Sequence, residues 1–276
     1  MILSSLKCYN PKIFHGALIP CGRCYACRLK QAGDWSIRLH EELRNNSMLA
    51  IFVTLTYDDS CLKLDNGIPV LSRRDVQLYH KRLRKKIDRK LNYFLVGEYG
   101  PTTLRPHYHA IYFGLDLTYS EAIGASWQNG YHSVSLISDG RISYVAKYSL
   151  LPSKLDEFYL KKERKPFMIC SKGMGVSLLQ NPQTIRMFNS DNKTYINDNG
   201  YKKSLPRYYK LKIFSDEKRK QMADDYIVKT RKEFAEIMDL QKNNPQEFQR
   251  KLKSKKDWVY SHAYDVENRL LKKPKI

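Results

Sequence analysis

The 276-residue sequence has no apolar run approaching the ~18 residues that a membrane-crossing helix needs, so no transmembrane segment is read in it. Its start, Met1-Ile2-Leu3-Ser4-Ser5-Leu6-Lys7-Cys8, lacks a basic n-region and a long apolar h-region and is not expected to act as a secretory signal. Acidic residues are scarce, with 28 Asp and Glu against 49 Lys and Arg, which leaves a net charge of +21. A chain this basic points to a polyanion, most often a phosphate backbone, because Lys and Arg release the counterions condensed there. A ribosome-associated or simply basic protein is the alternative that charge alone leaves open. There is no internal repeat and no P-loop pattern, so no ATP site is implied.

What is present bounds the chain further. Hydrophobic residues make up 42% of it, enough for a core in at least part of the length. The length suits one domain with extensions or two small ones. Six cysteines without a secretory signal suggest a reducing compartment, where clustered Cys favours metal over disulfides. Twenty tyrosines offer rings that can stack on unpaired bases, although packing accounts for most tyrosines in any chain.

Periodicity outlines an α+β layout. Residues 1–33 carry four cysteines and little pattern, and Asp34 is expected to cap a helix reaching about Arg44, with Trp35, Leu39 and Leu43 on one face. Ile51 to Tyr57 is β-branched and aromatic and reads as a buried strand. Turns are expected around Asp58-Asp59-Ser60 and at Asn66-Gly67. Ser72 followed by Asp75 marks a helix start, after which Val76, Tyr79, Leu83 and Ile87 form an apolar stripe. The opposite face carries Arg73, Arg74, Lys81, Arg82, Arg84, Lys85 and Lys86, a surface that favours phosphate over plain solvation. Tyr93 to Glu98 and His107 to Phe113 read as a long-loop hairpin, Ser120 to Trp127 as a short helix and Tyr131 to Ile137 as a strand. Ile142 to Leu151 reads as a helix stopped by Pro152. Phe167 to Cys170 is a further strand, and from Ser215 the pattern is helical and charged, ending in a basic tail. Strands mixed with helices in this order imply an antiparallel sheet with helices packed on it. The expected organisation is a Cys-rich segment over 1–45, a central domain over 46–180 and a basic, largely helical extension over 181–276.

Three clusters carry candidate chemistry. In His107-Tyr108-His109 the two histidines share one strand face, and an antiparallel hairpin brings Glu98 beside His107. One carboxylate with two imidazoles suits Mg²⁺, Mn²⁺ or Zn²⁺, the carboxylate favouring the harder ions. Arg105-Pro106 sets a rigid turn and a phosphate-capable cation next to it. In Tyr144-Val145-Ala146-Lys147-Tyr148 two phenols four residues apart stand on one helix face, with Cβ atoms roughly 5–6 Å apart and Lys147 near the same edge. A phenol can attack a phosphodiester once its pKa of ~10 is offset by a metal and a cation. Packing is the alternative for such a pair. Cys21-x2-Cys24-x2-Cys27, with Cys8 upstream, could close a tetrahedral structural zinc site, with His15 as a substitute ligand and free thiols as the alternative. Cys61 and Cys170 stand alone and are expected to be buried. Ser171-Lys172-Gly173-Met174-Gly175 could cradle phosphate through Lys172, or could be an ordinary glycine turn.

Taken together, these pieces resemble the HUH endonucleases. Phe52-Val53-Thr54-Leu55-Thr56-Tyr57 looks like their first motif, Arg105-Pro106-His107-Tyr108-His109 like the second and Tyr144-Val145-Ala146-Lys147-Tyr148 like the two-tyrosine form of the third. Cys21-Gly22-Arg23-Cys24-Tyr25-Ala26-Cys27-Arg28, with Trp35 and Arg38, is similar to the gokushovirus-like branch of the rolling-circle initiators of Microviridae. The resemblance covers about residues 8–180. It implies a five-stranded antiparallel sheet with flanking helices, related to RRM and ferredoxin-like folds. It also implies Mg²⁺ or Mn²⁺ on Glu98, His107 and His109, and a tyrosine that nicks single-stranded or locally melted origin DNA and keeps the 5′ phosphate. The 3′ hydroxyl would then serve a host polymerase, alongside a host helicase, in the bacterial cytoplasm. Tyr144 with Lys147 also fits the Tyr-x-x-Lys of single-tyrosine relatives, so Tyr144 is the first-choice nucleophile and Tyr148 the second. Arg82, Lys85, Arg105 and Lys172 are the expected DNA contacts. The rival readings are an HUH transposase or plasmid relaxase, a zinc-containing non-catalytic DNA-binding protein, and a basic packaging protein.

Overall fold

The computed structural model describes residues 8, 10–15, 17–100, 103–148, 157–161, 163–190, 193–198, 201–254 and 257. In chain order the elements are β1 Lys12–Phe14, β2 Ala17–Ile19, α1 Tyr25–Asn45, β3 Ala50–Thr56, β4 Leu64–Asp65, β5 Ile68–Pro69 and α2 Arg73–Lys86. Then come β6 Asn92–Tyr99, β7 Pro106–Phe113, α3 Ser120–Gly124, β8 His132–Leu136, α4 Asp139–Tyr148, α5 Glu157–Leu160 and β9 Phe167–Cys170. The last are α6 Pro182–Ser190, β10 Tyr195–Asp198, β11 Tyr201–Ser204, α7 Arg207–Ile213 and α8 Asp216–Asn243. Two compact units result: Trp35–Asn181, and the N-terminal stretch to Asp34 together with the chain from Pro182 onwards.

In the first of these units β3, β6, β7, β8 and β9 form one sheet in the order β8-β3-β7-β6-β9, with every neighbouring pair antiparallel. The expected α+β fold with a five-stranded antiparallel sheet and flanking helices is therefore present. Both faces are covered. Leu55, Leu95, Tyr108, Ala110 and Tyr112 point to the face that packs Val76, Tyr79, Leu83 and Ile87 of the α2 stripe, with Ile123 and Trp127. Phe52, Phe94, Val96, Ile111 and Phe113 point to the other face, against Leu39 and Leu43 of α1 and Ile142, Val145 and Ala146 of α4. Period-two alternation along β6 and β7 thus assigns each residue to one layer or the other.

Local chemistry explains the ends. Ser72 caps α2 by accepting from the Asp75 N–H at 3.2 Å, as the Ser-x-x-Asp spacing predicts. Asn66 and Gly67 both have positive φ, 52° and 77°, and close the β4–β5 hairpin, a turn that glycine adopts without strain. Gly130 has a φ of +141°, and a Cβ there would lie 2.1 Å from the Asp58 nitrogen, so only glycine fits where this loop crosses the end of β3.

Several expected boundaries move. Asp34 does not cap a helix: α1 begins at Tyr25, and the Arg28 N–H already bonds the Cys24 carbonyl at 3.0 Å. The Arg28-Leu29-Lys30-Gln31-Ala32 run is made of good helix formers, which outweigh Gly33. The Asp34 carboxylate is held instead by Lys30, one turn back. The short helix α3 stops at Gly124 rather than Trp127. Helix α4 begins three residues before Ile142, at Asp139, whose carboxylate suits a helix N-terminus. Its expected stop at Pro152 lies outside the described residues. Cys61 and Cys170 are half-buried rather than buried.

In the second unit, β1 pairs with β2 and β10 with β11. Ser215 caps α8, accepting from the Lys218 N–H at 3.2 Å, where the sequence pattern turns helical. No described helix is long and apolar enough to cross a membrane.

Candidate metal centre and its tyrosine

The β6–β7 register sets Glu98 directly opposite His107, and the β3–β7 register sets Thr54 opposite His109. Three ligand-type side chains therefore converge on one face by strand geometry alone. His107 Nε2 lies 3.0 Å and His109 Nε2 3.1 Å from the same Glu98 oxygen, Oε1. Glu98 and His109 are buried and His107 is half-buried.

The far side of each ring is also held. His107 Nδ1 is 3.0 Å from the Arg105 carbonyl, which can only accept, so Nδ1 carries the proton. Neutral His107 then turns the Nε2 lone pair towards a carboxylate oxygen, and two acceptors face each other across 3.0 Å. His109 Nδ1 is 3.1 Å from the Thr54 hydroxyl. Glu98 Oε2 is buried without a hydrogen-bond partner. An orphaned carboxylate oxygen and two imidazole nitrogens aimed at one point is the donor set a divalent cation satisfies, and these three residues could hold one. Burial would raise the Glu98 carboxyl, but hydrogen bonds from His107 and His109 outweigh it and leave the group below the ordinary carboxylate range.

The tyrosine helix packs on this same face. The Tyr144 hydroxyl is 3.5 Å from Glu98 Oε1, and its ring meets the His109 ring edge-on, with centroids 5.4 Å apart and planes at 83°. Val145 and Ala146 seat α4 on the sheet beside it. Lys147 and Tyr148 continue α4, and their side chains lie outside the described residues.

The expected DNA contacts separate. Arg105 is close to the centre, but its guanidinium donates to Asp59 Oδ1 and to the Tyr57 carbonyl, both at 2.6 Å, and so ties the β6–β7 loop to the end of β3. Arg82 and Lys85 belong to α2, which covers the opposite face of the sheet. Arg82 donates to the Ser126 carbonyl at 2.8 Å, whereas Lys85 is exposed. Lys172 is exposed in a glycine turn whose Gly175 N–H is spent on Glu42 Oε2 at 2.8 Å.

Two neighbours of the centre were not singled out by sequence. Thr54 fixes His109, and Phe52 stacks on it, with ring centroids 5.5 Å apart at 19°. Both sit on the β3 face that alternation assigns to the His side, so the strand register carries the signal once β3 is paired with β7.

The four N-terminal cysteines form a second metal-capable group, in the other unit. The Sγ atoms of Cys8, Cys21, Cys24 and Cys27 all lie within 4.8 Å of one another. Cys24 and Cys27 come together because they are three residues apart at the start of α1, which removes the difficulty of the second short gap. His15 stands outside the group; its carbonyl accepts from Arg231.

Known proteins bear on this geometry. A family model described as replication-associated protein ORF2 matches residues 50–151, the stretch from β3 through α4. The replication-associated protein ORF2 of Spiroplasma virus 4 is 26% identical over 239 residues, covering 79% of this chain and 74% of that protein. The replication-associated protein VP4 of Bdellovibrio phage phiMH2K is 34% identical over 156 residues, 47% of each. The replication-associated protein ORF4 of Chlamydia phage 1 is 27% identical over 219 residues, 70% of this chain and 52% of that protein. No solved structure matches. The resemblance to the initiators of Microviridae is thus upheld: residues 50–151 match the family of replication-associated protein ORF2, and the chain around them is similar to replication-associated proteins of Microviridae-like phages.

Proposed function

We propose that this chain starts rolling-circle replication by nicking one strand at an origin through a phosphotyrosine intermediate, and rejoins the ends to release a circle. The carrying observation is Tyr144 Oη at 3.5 Å from Glu98 Oε1, on the face where His107 and His109 also converge. Replication is the role that the names of all three relatives print. Together with a +21 charge, this favours DNA as the substrate.

Glu98, His107 and His109 would hold Mg²⁺ or Mn²⁺, which supplies Lewis-acid polarisation of the scissile phosphate. Tyr144 Oη attacks the phosphorus and gives up its proton. The bond from phosphorus to the 3′ oxygen breaks, that oxygen takes up a proton, and the 5′ phosphate stays on the tyrosine as a phosphodiester. Lys147 would face the phosphate as a cation. Tyr148, one turn on, would make the second cut after synthesis, while Tyr144 is still loaded. The freed 3′ hydroxyl then attacks the phosphotyrosine and closes the circle. Thr54 and the Arg105 carbonyl hold the two imidazoles in the tautomers this requires. A host polymerase would extend the 3′ hydroxyl, and a host helicase would open the duplex ahead.

The test mixes the chain, Mn²⁺ and labelled single-stranded oligonucleotides tiling the replicon that encodes it, and looks for a covalent adduct on denaturing gels. A sequence-specific adduct is expected. If the adduct persists when Tyr144→Phe and Tyr148→Phe are combined, the tyrosine mechanism is wrong. Salt-sensitive binding that ignores loss of His107 and His109, without an adduct, would mark a non-catalytic DNA-binding protein.

A further inference from the structure

The four cysteines play no part in the chemistry proposed above, and their geometry raises a separate question. Four reduced thiols packed together can form disulfides, remain free or hold a metal. The Cys8 and Cys24 sulfurs are 3.7 Å apart. A disulfide would place them at about 2.05 Å. Zinc with Zn–S bonds of about 2.3 Å gives a tetrahedral sulfur–sulfur edge of about 3.8 Å. The observed separation matches the edge of a tetrahedron.

The backbone supports the same choice. The Cys21 N–H donates to Cys8 Sγ at 3.3 Å, and the Arg23 and Cys24 N–H groups donate to Cys21 Sγ at 3.4 and 3.2 Å. Sulfur accepts hydrogen bonds well only as a thiolate, the form a metal stabilises. The positive φ of Gly22, 72°, lets the chain turn between Cys21 and Cys24 so that these N–H groups point inward.

The cluster is also the centre of a small core. Cys8, Cys24 and Cys27 are buried with Leu18 and Ile237, and Tyr226, Phe234 and Phe248 pack against them. Tyr226, Thr230, Phe234 and Ile237 lie on one stripe of α8. Tyr226 Oη donates to the Leu18 carbonyl at 3.2 Å, and Arg231 Nε donates to the His15 carbonyl at 2.9 Å. So few apolar residues cannot hold short strands and loops without a staple.

We propose that Cys8, Cys21, Cys24 and Cys27 hold a structural zinc ion, and that this ion builds the surface on which α8 packs. Its binding energy is then folding energy for the N-terminal segment, and α8 depends on it although the helix contributes no ligand.

The test uses the full chain, expressed with zinc and dialysed free of loose metal. Plasma mass spectrometry is expected to find one zinc per chain that survives His107→Ala with His109→Ala and is lost in Cys24→Ser with Cys27→Ser. Replacement by cobalt in the unaltered chain is expected to give sulfur-to-metal charge transfer and the visible bands of a tetrahedral thiolate site. Removing zinc with a chelator should speed amide exchange over residues 226–237 by about tenfold or more, while β3 and β7 keep their protection. A metal-free chain with freely titrating thiols, a disulfide found by mass, or zinc that departs with the histidines would overturn the zinc assignment. Exchange in α8 that is indifferent to the chelator would overturn the packing role. None of these readouts requires the chain to cut DNA, so they stand or fall apart from the nicking reaction.

Discussion

The Tyr144 hydroxyl stands 3.5 Å from Glu98 Oε1, although the two residues are 46 positions apart and lie on different elements. A helix packed on the other face of the sheet would have left the phenol a full sheet thickness from the histidines, and the nucleophile reading would have ended there. On the observed face, Tyr144→Phe should lower formation of the covalent DNA adduct by about 10³-fold or more, the scale on which loss of a nucleophile is felt. DNA binding should be nearly unchanged, because the hydroxyl and not the ring is removed. Gel quantification of the adduct beside filter binding separates the two. An adduct at full yield in Tyr144→Phe and none in Tyr148→Phe would transfer the first cut to Tyr148.

The hairpin, its two histidines and the carboxylate opposite them were legible because a strand pair has one geometry: once β6 and β7 are antiparallel with Glu98 at the end of one, His107 must face it. The α2 stripe and its Ser72 cap were legible for the same local reason. Asp34 was misleading, because a capping residue type is also tolerated inside a helix when a neighbour, here Lys30, holds its carboxylate. Thr54 was hidden because its role depends on which strand lies beside β3, a contact between residues 55 positions apart. The spacing of Arg105 suggested a free cation beside the histidines, yet its charge is engaged by Asp59, a pairing that only the fold creates.

Thr54 offers a sharper test of the metal reading than the ligands themselves. Its hydroxyl reaches His109 Nδ1 at 3.1 Å and orients the ring so that Nε2 points at Glu98. Thr54→Val keeps the β-branched shape that suits β3 and removes only the hydroxyl. Affinity for Mn²⁺ should fall by about 10- to 100-fold, as for other groups behind a metal ligand. Calorimetric titration with Mn²⁺ reads this directly, and unchanged affinity would mean that the threonine does not orient His109 for a metal.

On the opposite face, His80 is buried with its Nε2 3.0 Å from the Tyr112 hydroxyl. Burial first, and then the Arg84 charge, press its pKa down from 6.5 to about 3. The unfolded chain therefore takes up this proton before the folded one does. The stabilising contribution is complete above pH 6.5 and is lost as pH falls from there towards about 3. The urea midpoint should drop between pH 6.5 and pH 5, a range in which ordinary carboxylates stay ionised. His80→Gln can keep a hydrogen bond to Tyr112 without the titration and should flatten that slope. A slope equally steep in the variant would assign the acid sensitivity to another histidine.

Lys85 tests whether DNA uses both faces of the sheet. The histidine face holds the reaction, whereas α2 lies across the sheet from it with Arg84, Lys85 and Lys86 in its last turn. If a DNA segment outside the cut site runs along α2, Lys85→Ala removes one phosphate contact. Affinity should then fall for every sequence alike, and the slope of log K against log salt should lessen by about 1. The rate of nicking at saturating DNA should hold, since no atom of Lys85 belongs to the face that carries Tyr144. A slope identical to that of the unaltered chain would mean that α2 faces solvent and that the basic stripe serves solubility. Combining Lys85→Ala with Lys86→Ala should lower the slope twice as far if both touch phosphates. Because the two changes remove charge without disturbing the buried Val76–Tyr79–Leu83 stripe, any loss of thermal stability should be small, within the usual surface range of about 0.5 kcal/mol.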